Sequence, residues 1–303
     1  VNTLKTKCRT VHYWDKTSVL ADLQAKTVSA LNKLPRRAVV LREQSLYWPT
    51  LLVHSRLPLA NGSIFINGFP VSGTNWLCQL TARYLNLPIF EAWTRLTPSF
   101  AKPHIFHTHR FIDTPAVRSR TIYITRDGRD ATLSRYFKLA QSPRESAMRQ
   151  KFEKHIGHVM DTNRIAEQLP DFIDWYFTAK VSSSINWHQH IEIASKLKLR
   201  TIRFEGLKAD PLAELSPVFS HFSGHPIDVN RLLDVIEARK FENVRGKGTQ
   251  HHKRKGAVGE WRQHFNTEAR ARFASYAQNE LVISGYENDA SWVTSSRTQP
   301  DDA

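Results

Sequence analysis

Gly68-Phe-Pro-Val-Ser-Gly-Thr74 lies between an apolar stretch, Ser63 to Asn67, and a helix-like segment, Asn75 to Leu85. The apolar stretch predicts a buried strand. Gly68 and Gly73 have the spacing of a phosphate-cradling loop. Glycines permit a tight turn in which successive N–H groups and the helix N-terminus face an anion. A turn without a ligand would use the same glycines, but the strand–loop–helix setting favours a phosphate loop.

The residues after the second glycine argue against ATP or GTP chemistry. Thr74 and Asn75 stand where a nucleotide-triphosphate loop carries Lys followed by Ser or Thr. Without that lysine and the magnesium-binding hydroxyl, the usual Mg²⁺ clamp cannot form. A P-loop kinase or NTPase is therefore a weak alternative.

A second candidate anion site follows the predicted strand Thr121 to Thr125. Arg126 ends this strand, and Ser134 falls on the helix that we expect from about Asp130. The carboxyl ends of parallel strands are where ligands bind in α/β sheets. A guanidinium group suits a phosphate, and a serine hydroxyl adds a donor. The alternative is that Arg126 forms a salt bridge with Asp127 or Asp130.

A third basic element lies near the C-terminus, where the run His251 to Gly256 contains Arg254 and Lys255. Basic runs are commonly solvated faces or nucleic-acid patches. This one is followed by Trp261 and Phe265, which would anchor it to the core. Such a segment could fold over a bound anion.

The order of predicted elements favours an α/β fold, a single domain with a parallel sheet flanked by helices on both faces. Leu199 to Phe204 predicts a further strand, and Thr17 to Leu34 an N-terminal helix. The polar region between Gln141 and Asp174 predicts either a mobile cover or an exposed helical insertion. We expect one domain over residues 1–292, with an N-terminal segment at 1–60, a core at 63–286 and a flexible tail at 293–303.

The chain is strongly basic, with 43 Lys and Arg against 28 Asp and Glu and a net charge of +15. Such an excess favours a polyanionic partner, although it also serves solubility. Cys8 and Cys78 show no ligand spacing, which favours a reducing compartment. No signal peptide or transmembrane segment is visible, so the expected location is cytoplasmic.

Taken together, these elements resemble the cytosolic branch of the family of sulfotransferases that use 3′-phosphoadenosine-5′-phosphosulfate (PAPS). The family's donor loop reads approximately Tyr-Pro-Lys-Ser-Gly-Thr-Thr-Trp, and Phe69–Trp76 reads Phe-Pro-Val-Ser-Gly-Thr-Asn-Trp. Arg126 and Ser134 match its Arg and Ser for the donor's 3′-phosphate. Arg254–Trp261 nearly reproduces its Arg-Lys-Gly-x-x-Gly-Asp-Trp.

The resemblance implies a sulfotransferase fold and a set of donor-binding residues. These are Val71, Ser72, Gly73, Thr74, Asn75, Trp76, Arg126, Ser134, Phe204, Phe241, Val244, Arg254, Lys255 and Gly256. The aromatic members and Val244 are expected beside adenine, although composition alone would equally place the aromatics in a core.

The family's catalytic histidine lies in a Lys-Thr-His element, and His107-Thr108-His109 occupies that place. The resemblance implies that His109 is the general base, with a pKa near neutrality that suits this task. A hydrogen-bonded structural histidine is the alternative. Val71 and His107 stand where the family has lysines, so a slow or inactive enzyme is a second alternative. His107 or Lys255 are candidates to supply the missing charge.

The expected reaction is in-line transfer of a sulfuryl group from PAPS to a hydroxyl of a small molecule, lipid or glycan. The basic excess favours an acidic or membrane-associated acceptor, and no nucleic-acid partner is expected. No metal is implied, because no His, Cys or Asp cluster has ligand spacing. A non-catalytic protein of the same fold that binds an anion or nucleic acid is the alternative from another class.

Overall fold

The computed structural model describes residues 62–90, 103–179, 185–240 and 256–295. These residues form a five-stranded sheet in the order β2-β3-β1-β4-β5, with every adjacent pair parallel. The strands are β1 Ile64–Gly68, β2 Ile89–Phe90, β3 Ile105–Thr108, β4 Thr121–Thr125 and β5 Arg200–Arg203. The predicted α/β fold with a parallel sheet is therefore confirmed.

The central strands are short apolar runs that are buried on both faces. Every residue of β1 and β4 is buried, as expected for a parallel sheet covered on two sides. Successive side chains of β4 face opposite cores: Tyr123 packs in one, while Ile122 and Ile124 pack in the other. This alternation follows from the period of two in a strand.

Helices cover both faces of the sheet. They are α1 Thr74–Leu85, α2 Pro115–Arg118, α3 Gly128–Gln141, α4 Ser146–Ile156, α5 Ile165–Thr178, α6 Trp187–Lys196, α7 Phe204–Ala209, α8 Pro211–Ser223, α9 Val229–Ala238, α10 Trp261–His264 and α11 Thr267–Ile283. Short 3₁₀ turns occupy Pro143–Glu145, Thr162–Arg164 and Ser291–Val293. One core lies between the sheet and α1, α8 and α9, and the other beneath α3, α5, α6 and α11.

The region between Gln141 and Asp174 is more integrated than its polar sequence suggests. It folds into α4 and most of α5, and its buried residues include Phe152, Leu169 and Phe172. The expected helical character is confirmed, but the expected exposure is wrong for the faces that bury these residues. The alternative of a mobile cover stays a prediction. The apolar residues are spaced too widely among charged ones for composition to reveal them.

The strand order positions the candidate site. Strand β1 is central, and the chain runs from it to β2 and β3 on one side before crossing to β4 and β5 on the other. Ligands of open α/β sheets bind where the strand order reverses, at the carboxyl ends of the strands. The loop after β1 and Arg126 after β4 both lie at this edge.

Several expectations fall on residues outside the described ranges. These are the helix over Thr17–Leu34, Cys8 and most of the tail. The described chain continues in packed form to Ser295, since Trp292 is buried and Arg270 donates a hydrogen bond to the Ser295 carbonyl. Within the described residues, no helix combines the length and hydropathy that a bilayer crossing needs.

Candidate active site

The loop between β1 and α1 is a tight turn with two unusual backbone conformations. The Ser72 N–H donates to the Phe69 carbonyl at 3.1 Å. Gly73 has φ of +92°, and a Cβ there would lie 2.6 Å from the Phe204 ring, so glycine is required. Val71 has φ of +71°. A β-branched residue is rarely found in this region, and such strain is characteristic of functional loops.

The N-terminus of α1 can accept an anion. Its N-cap is Gly73, which provides no side-chain cap for the first-turn N–H groups. Ser72 is fully buried, and its hydroxyl has no hydrogen-bond partner among the described residues. Buried hydroxyl groups are normally hydrogen-bonded. An uncapped helix start beside a buried hydroxyl fits a phosphate group.

Arg126 joins the three segments that the sequence assigns to anion binding. One terminal nitrogen donates to the Val71 carbonyl at 3.1 Å and to Ser134 Oγ at 3.2 Å. The other donates to the Ala257 carbonyl at 2.9 Å. The guanidinium group also lies over the Phe204 ring, 4.8 Å from its centroid. Arg126 thus connects the β1–α1 loop, helix α3 and the C-terminal segment.

The predicted salt bridges of Arg126 give way to other pairings of the two aspartates. Asp127 pairs with Arg129 at 2.7 Å. Asp130 accepts hydrogen bonds from the backbone N–H groups of Gly259 and Trp261 at 2.7 and 2.9 Å. Burial and the neighbouring Asp127 carboxylate raise the pKa of Asp130 to about 6. This carboxylate therefore ties the C-terminal segment to the start of α3.

The segment from Gly256 to Trp261 is fixed at both ends. Lys208 donates to the Gly256 carbonyl at 2.7 Å, and Trp261 is buried in the core together with Phe265. The predicted anchoring by these two aromatics is confirmed. Arg254 and Lys255 precede this segment and lie outside the described residues, as do Phe241 and Val244.

The imidazole of His109 lies directly beside the β1–α1 loop. Its Nδ1 is 2.7 Å from the Gly68 carbonyl oxygen. A carbonyl can only accept, so Nδ1 carries the hydrogen and the lone pair of neutral His109 is on Nε2. His107 is buried in β3, with its ring centroid 5.0 Å from that of His109. The geometry makes Nε2 the proton-accepting atom.

The expected near-neutral pKa of His109 is wrong. Burial, followed by the proximity of His107, lowers the pKa of His109 to about 3, although the Gly68 carbonyl opposes this shift. His190 and Lys138 add smaller effects in the lowering direction. His109 is therefore neutral across the physiological range. The sequence could not reveal this, because burial and neighbouring charges depend on the fold.

Sequence reasoning missed residues that position the predicted ones. His190 contacts the His109 carbonyl through Nε2 at 3.0 Å and the Tyr123 hydroxyl through Nδ1 at 3.1 Å. Asp130 and Lys208 hold the C-terminal segment, as described above. All three act over long sequence separations, so no local motif marks them.

The predicted adenine-side aromatics Trp76 and Phe204 are both buried and pack edge to face, with ring centroids 6.1 Å apart. The Trp76 indole N–H donates to the Arg239 carbonyl at 2.8 Å. Both rings therefore contribute to the core, and a role beside adenine stays a prediction. Thr74 is buried and Asn75 is exposed at the first turn of α1.

In the described ranges, no group of three or more His, Cys, Asp or Glu residues could hold a metal ion.

A sulfotransferase domain family model matches residues 94–285, and the chain belongs to this family. Cytosolic sulfotransferase 3 of Arabidopsis thaliana is 22% identical over 252 residues, which cover 72% of this chain and 76% of the relative. Sulfotransferase 1B1 of Mus musculus is 21% identical over 267 residues, covering 73% and 83%. Sulfuryl transfer is accordingly the general activity that family and fold support.

Solved structures share the fold. A mouse sulfotransferase, SULT7A1, complexed with PAP aligns with a TM-score of 0.55 and 16% identity, covering 77% of this chain and 87% of that chain. Retinol dehydratase in complex with androsterone and inactive cofactor PAP aligns with a TM-score of 0.52 and 15% identity, covering 77% and 85%. The predicted sulfotransferase fold is confirmed, and the kinase alternative loses its basis.

The depressed pKa of His109 predicts a pH-dependent stability. An unfolded histidine has a pKa near 6.5, so below that pH the unfolded chain takes up a proton that folded His109 refuses until about pH 3. The contribution is therefore fully present above pH 6.5 and lost as pH falls. We expect the wild-type free energy of unfolding to drop by about 2 kcal/mol more than that of His109→Gln between pH 7 and pH 5.

Urea unfolding at the two pH values measures this difference. Glutamine is polar and does not titrate in this range, so the substitution removes the titration of the imidazole. Replacing the exposed His225 by Gln is the matched control and should leave the wild-type pH dependence in place. Equal pH dependence in the wild type and His109→Gln would contradict the burial of a neutral imidazole.

Proposed function

We propose that this sulfotransferase transfers a sulfuryl group from PAPS to a hydroxyl group of an acceptor, with His109 as general base. The observation that carries the proposal is the convergence of the three candidate anion-binding segments on Arg126, which bonds to the same loop as His109. Arg126 donates to the Val71 carbonyl and His109 to the Gly68 carbonyl, so both groups are fixed by the same short loop. Relatives of this fold that were solved with PAP support the choice of donor.

The residues present fit PAPS. The first-turn N–H groups of α1 and the buried Ser72 hydroxyl would hold the 5′-phosphate. Arg126 and Ser134, already 3.2 Å apart, would hold the 3′-phosphate. The family resemblance also assigns Arg254, Lys255 and Gly256 to the donor, and the first two lie outside the described residues. Trp76 and Phe204 would border adenine.

Bound PAPS supplies the sulfuryl group, whose bond to the 5′-phosphate oxygen breaks as a bond to the acceptor oxygen forms. The protein must stabilise the negative charge that develops on the phosphate side. Fixed N–H groups aimed at such charge are effective because they need no reorganisation. The α1 N-terminus and Ser72 provide this stabilisation.

His109 takes the proton from the acceptor hydroxyl at Nε2. The Gly68 carbonyl keeps the hydrogen on Nδ1 and stabilises the imidazolium cation once it forms. His190, in turn, fixes the backbone of His109. The low pKa keeps His109 neutral, with Nε2 unprotonated, and it also lowers the basicity of this atom, an effect that the hydrogen bond to the Gly68 carbonyl partly opposes.

The first experiment titrates the protein with 3′-phosphoadenosine-5′-phosphate (PAP) by calorimetry. We expect micromolar or tighter binding, a loss of about threefold to tenfold for Ser134→Ala and about 100-fold for Arg126→Ala, since Arg126 provides charge-assisted hydrogen bonds. Arg118→Ala, which removes an exposed arginine paired with Asp113, is the control and should bind normally. Because Arg126 also joins segments of the fold, the milder Ser134→Ala keeps the test valid if Arg126→Ala unfolds. A wild-type protein that does not bind PAP would overturn the proposal.

The role of His109 is tested separately with His109→Gln. We expect sulfate incorporation from radiolabelled PAPS into the acceptor to fall at least about 100-fold, because a general base contributes about 10²–10⁴-fold. PAP affinity should stay within about twofold, which would separate the chemical step from donor binding. An active His109→Gln would show that another group takes the proton.

Val71 gives a further prediction, since it replaces the donor-loop lysine of the family. We expect Val71→Lys to raise kcat about tenfold by returning positive charge to the leaving phosphate. Val71→Met is the matched control: it also relieves the β-branched strain at φ of +71° but adds no charge. Equal rates for the two variants would show that strain, not charge, limits turnover.

A further inference from the structure

Helix α3 has a single accessible stripe. Most of its residues are buried. Those that are not buried are Ser134, Phe137, Lys138, Ala140 and Gln141. Positions three, four and seven residues apart share one face of a helix, so Ser134, Phe137, Lys138 and Gln141 form a continuous open strip. We call this strip the α3 stripe.

The α3 stripe begins at the donor site. Ser134 Oγ accepts a hydrogen bond from Arg126 at 3.2 Å. Lys138 lies one helical turn further along the same face, about 6 Å in helix rise. The Lys138 side chain is therefore one turn away from the proposed donor residue Ser134, at a position where it could contact an acceptor.

The charge of Lys138 is only loosely compensated. Its Nζ lies 3.8 Å from Glu145 Oε1. Both oxygens of that carboxylate already accept closer hydrogen bonds from Arg135, at 2.8 and 3.0 Å. The Arg135–Glu145 pair is thus complete without Lys138. The Lys138 side chain is 27% exposed. Burial and Arg135 lower the pKa of its ammonium group, and the attraction and hydrogen bonding of Glu145 only partly oppose this shift.

Lys138 also lies within electrostatic reach of His109, because its charge is among the effects that lower the His109 pKa. An anion bound to Lys138 would offset this effect and make Nε2 a stronger base. The open strip adjoins Ser134, which accepts a hydrogen bond from Arg126, and Arg126 and His109 both bond to carbonyl groups of the β1–α1 loop.

We infer that Lys138 binds an anionic group of the acceptor, so that the preferred acceptors are hydroxyl compounds carrying a carboxylate, sulfate or phosphate. The inference rests on the proposed function and names the substrate class of its site. The anion pairs with the ammonium group on the α3 stripe, which directs the hydroxyl towards His109 Nε2. A net charge of +15 assists the approach of such acceptors.

The test compares matched acceptors that differ in one charge: 4-hydroxyphenylacetate with 4-hydroxyphenylacetamide, and 4-(hydroxymethyl)benzoate with 4-(hydroxymethyl)benzamide. Sulfate incorporation from radiolabelled PAPS gives kcat/KM for each. We expect the wild type to favour the anionic member by at least about tenfold in kcat/KM, and we expect Lys138→Gln to bring the ratio between the two members of each pair to about one. Lys196→Gln, which removes an exposed lysine paired with Glu192, is the control and should behave as wild type.

PAP calorimetry on the same variants distinguishes failure of the proposed function from failure of the inference about Lys138. If wild-type protein does not bind PAP, the proposed function fails. If PAP binds, three results would each overturn the inference alone: neutral members preferred, no incorporation into any anionic member, or a preference that survives Lys138→Gln. Lys138→Gln should bind PAP within about twofold of wild type, since a large loss would assign Lys138 to the donor.

Discussion

The structure depends on five consecutive residues, Arg126 to Asp130, that bury four charged side chains at the end of β4. None of these four residues is more than 6% exposed. Buried charges are tolerated only when they are paired and hydrogen-bonded. Asp127 and Arg129 pair with each other, and the remaining partners come from elsewhere in the chain. The Arg129 guanidinium lies over the Trp261 and Trp292 rings, at 3.7 and 4.5 Å, and pairs with Asp127 and Glu287. Distant C-terminal segments are thereby fixed beside the strand.

This requirement links stability to the candidate site. The five residues whose charges must be paired include Arg126 and Asp130. Arg126 donates a hydrogen bond to the loop after β1, and Asp130 accepts hydrogen bonds from the Gly256–Trp261 segment. Completing the charge pairs therefore assembles the anion-binding elements. A site built in this way is preorganised, because its parts cannot separate without exposing unpaired charges.

The sequence predicted features that depend on neighbouring residues, but it did not predict contacts between residues far apart in the chain. Strands β1 and β4 and helix α1 were predicted because each is a distinct apolar run next to glycines or a strand-ending arginine. The strand predicted over Leu199 to Phe204 is confirmed as β5. Strands β2 and β3 were not predicted, since β2 has only two residues and β3 has only two apolar residues before His107 and Thr108. The roles of Asp130, Lys208 and His190 depend on partners far along the chain. The pKa of His109 escaped prediction for the same reason, because the burial that lowers it is a property of the whole fold.

Under the proposed function, the positive charge around His109 is distributed differently from the family pattern that the sequence resembles. Val71 and His107 replace two lysines, one in the loop after β1 and one in β3. Lys138 lies instead on the α3 stripe, beyond Ser134 and within reach of His109. A positive charge in the β1–α1 loop would act on the leaving phosphate, whereas the charge of Lys138 on the α3 stripe would act on the acceptor that carries the attacking hydroxyl. An acceptor that brings its own negative charge would neutralise Lys138 and increase the basicity of His109. Such an acceptor would compensate for the two lysines that Val71 and His107 replace.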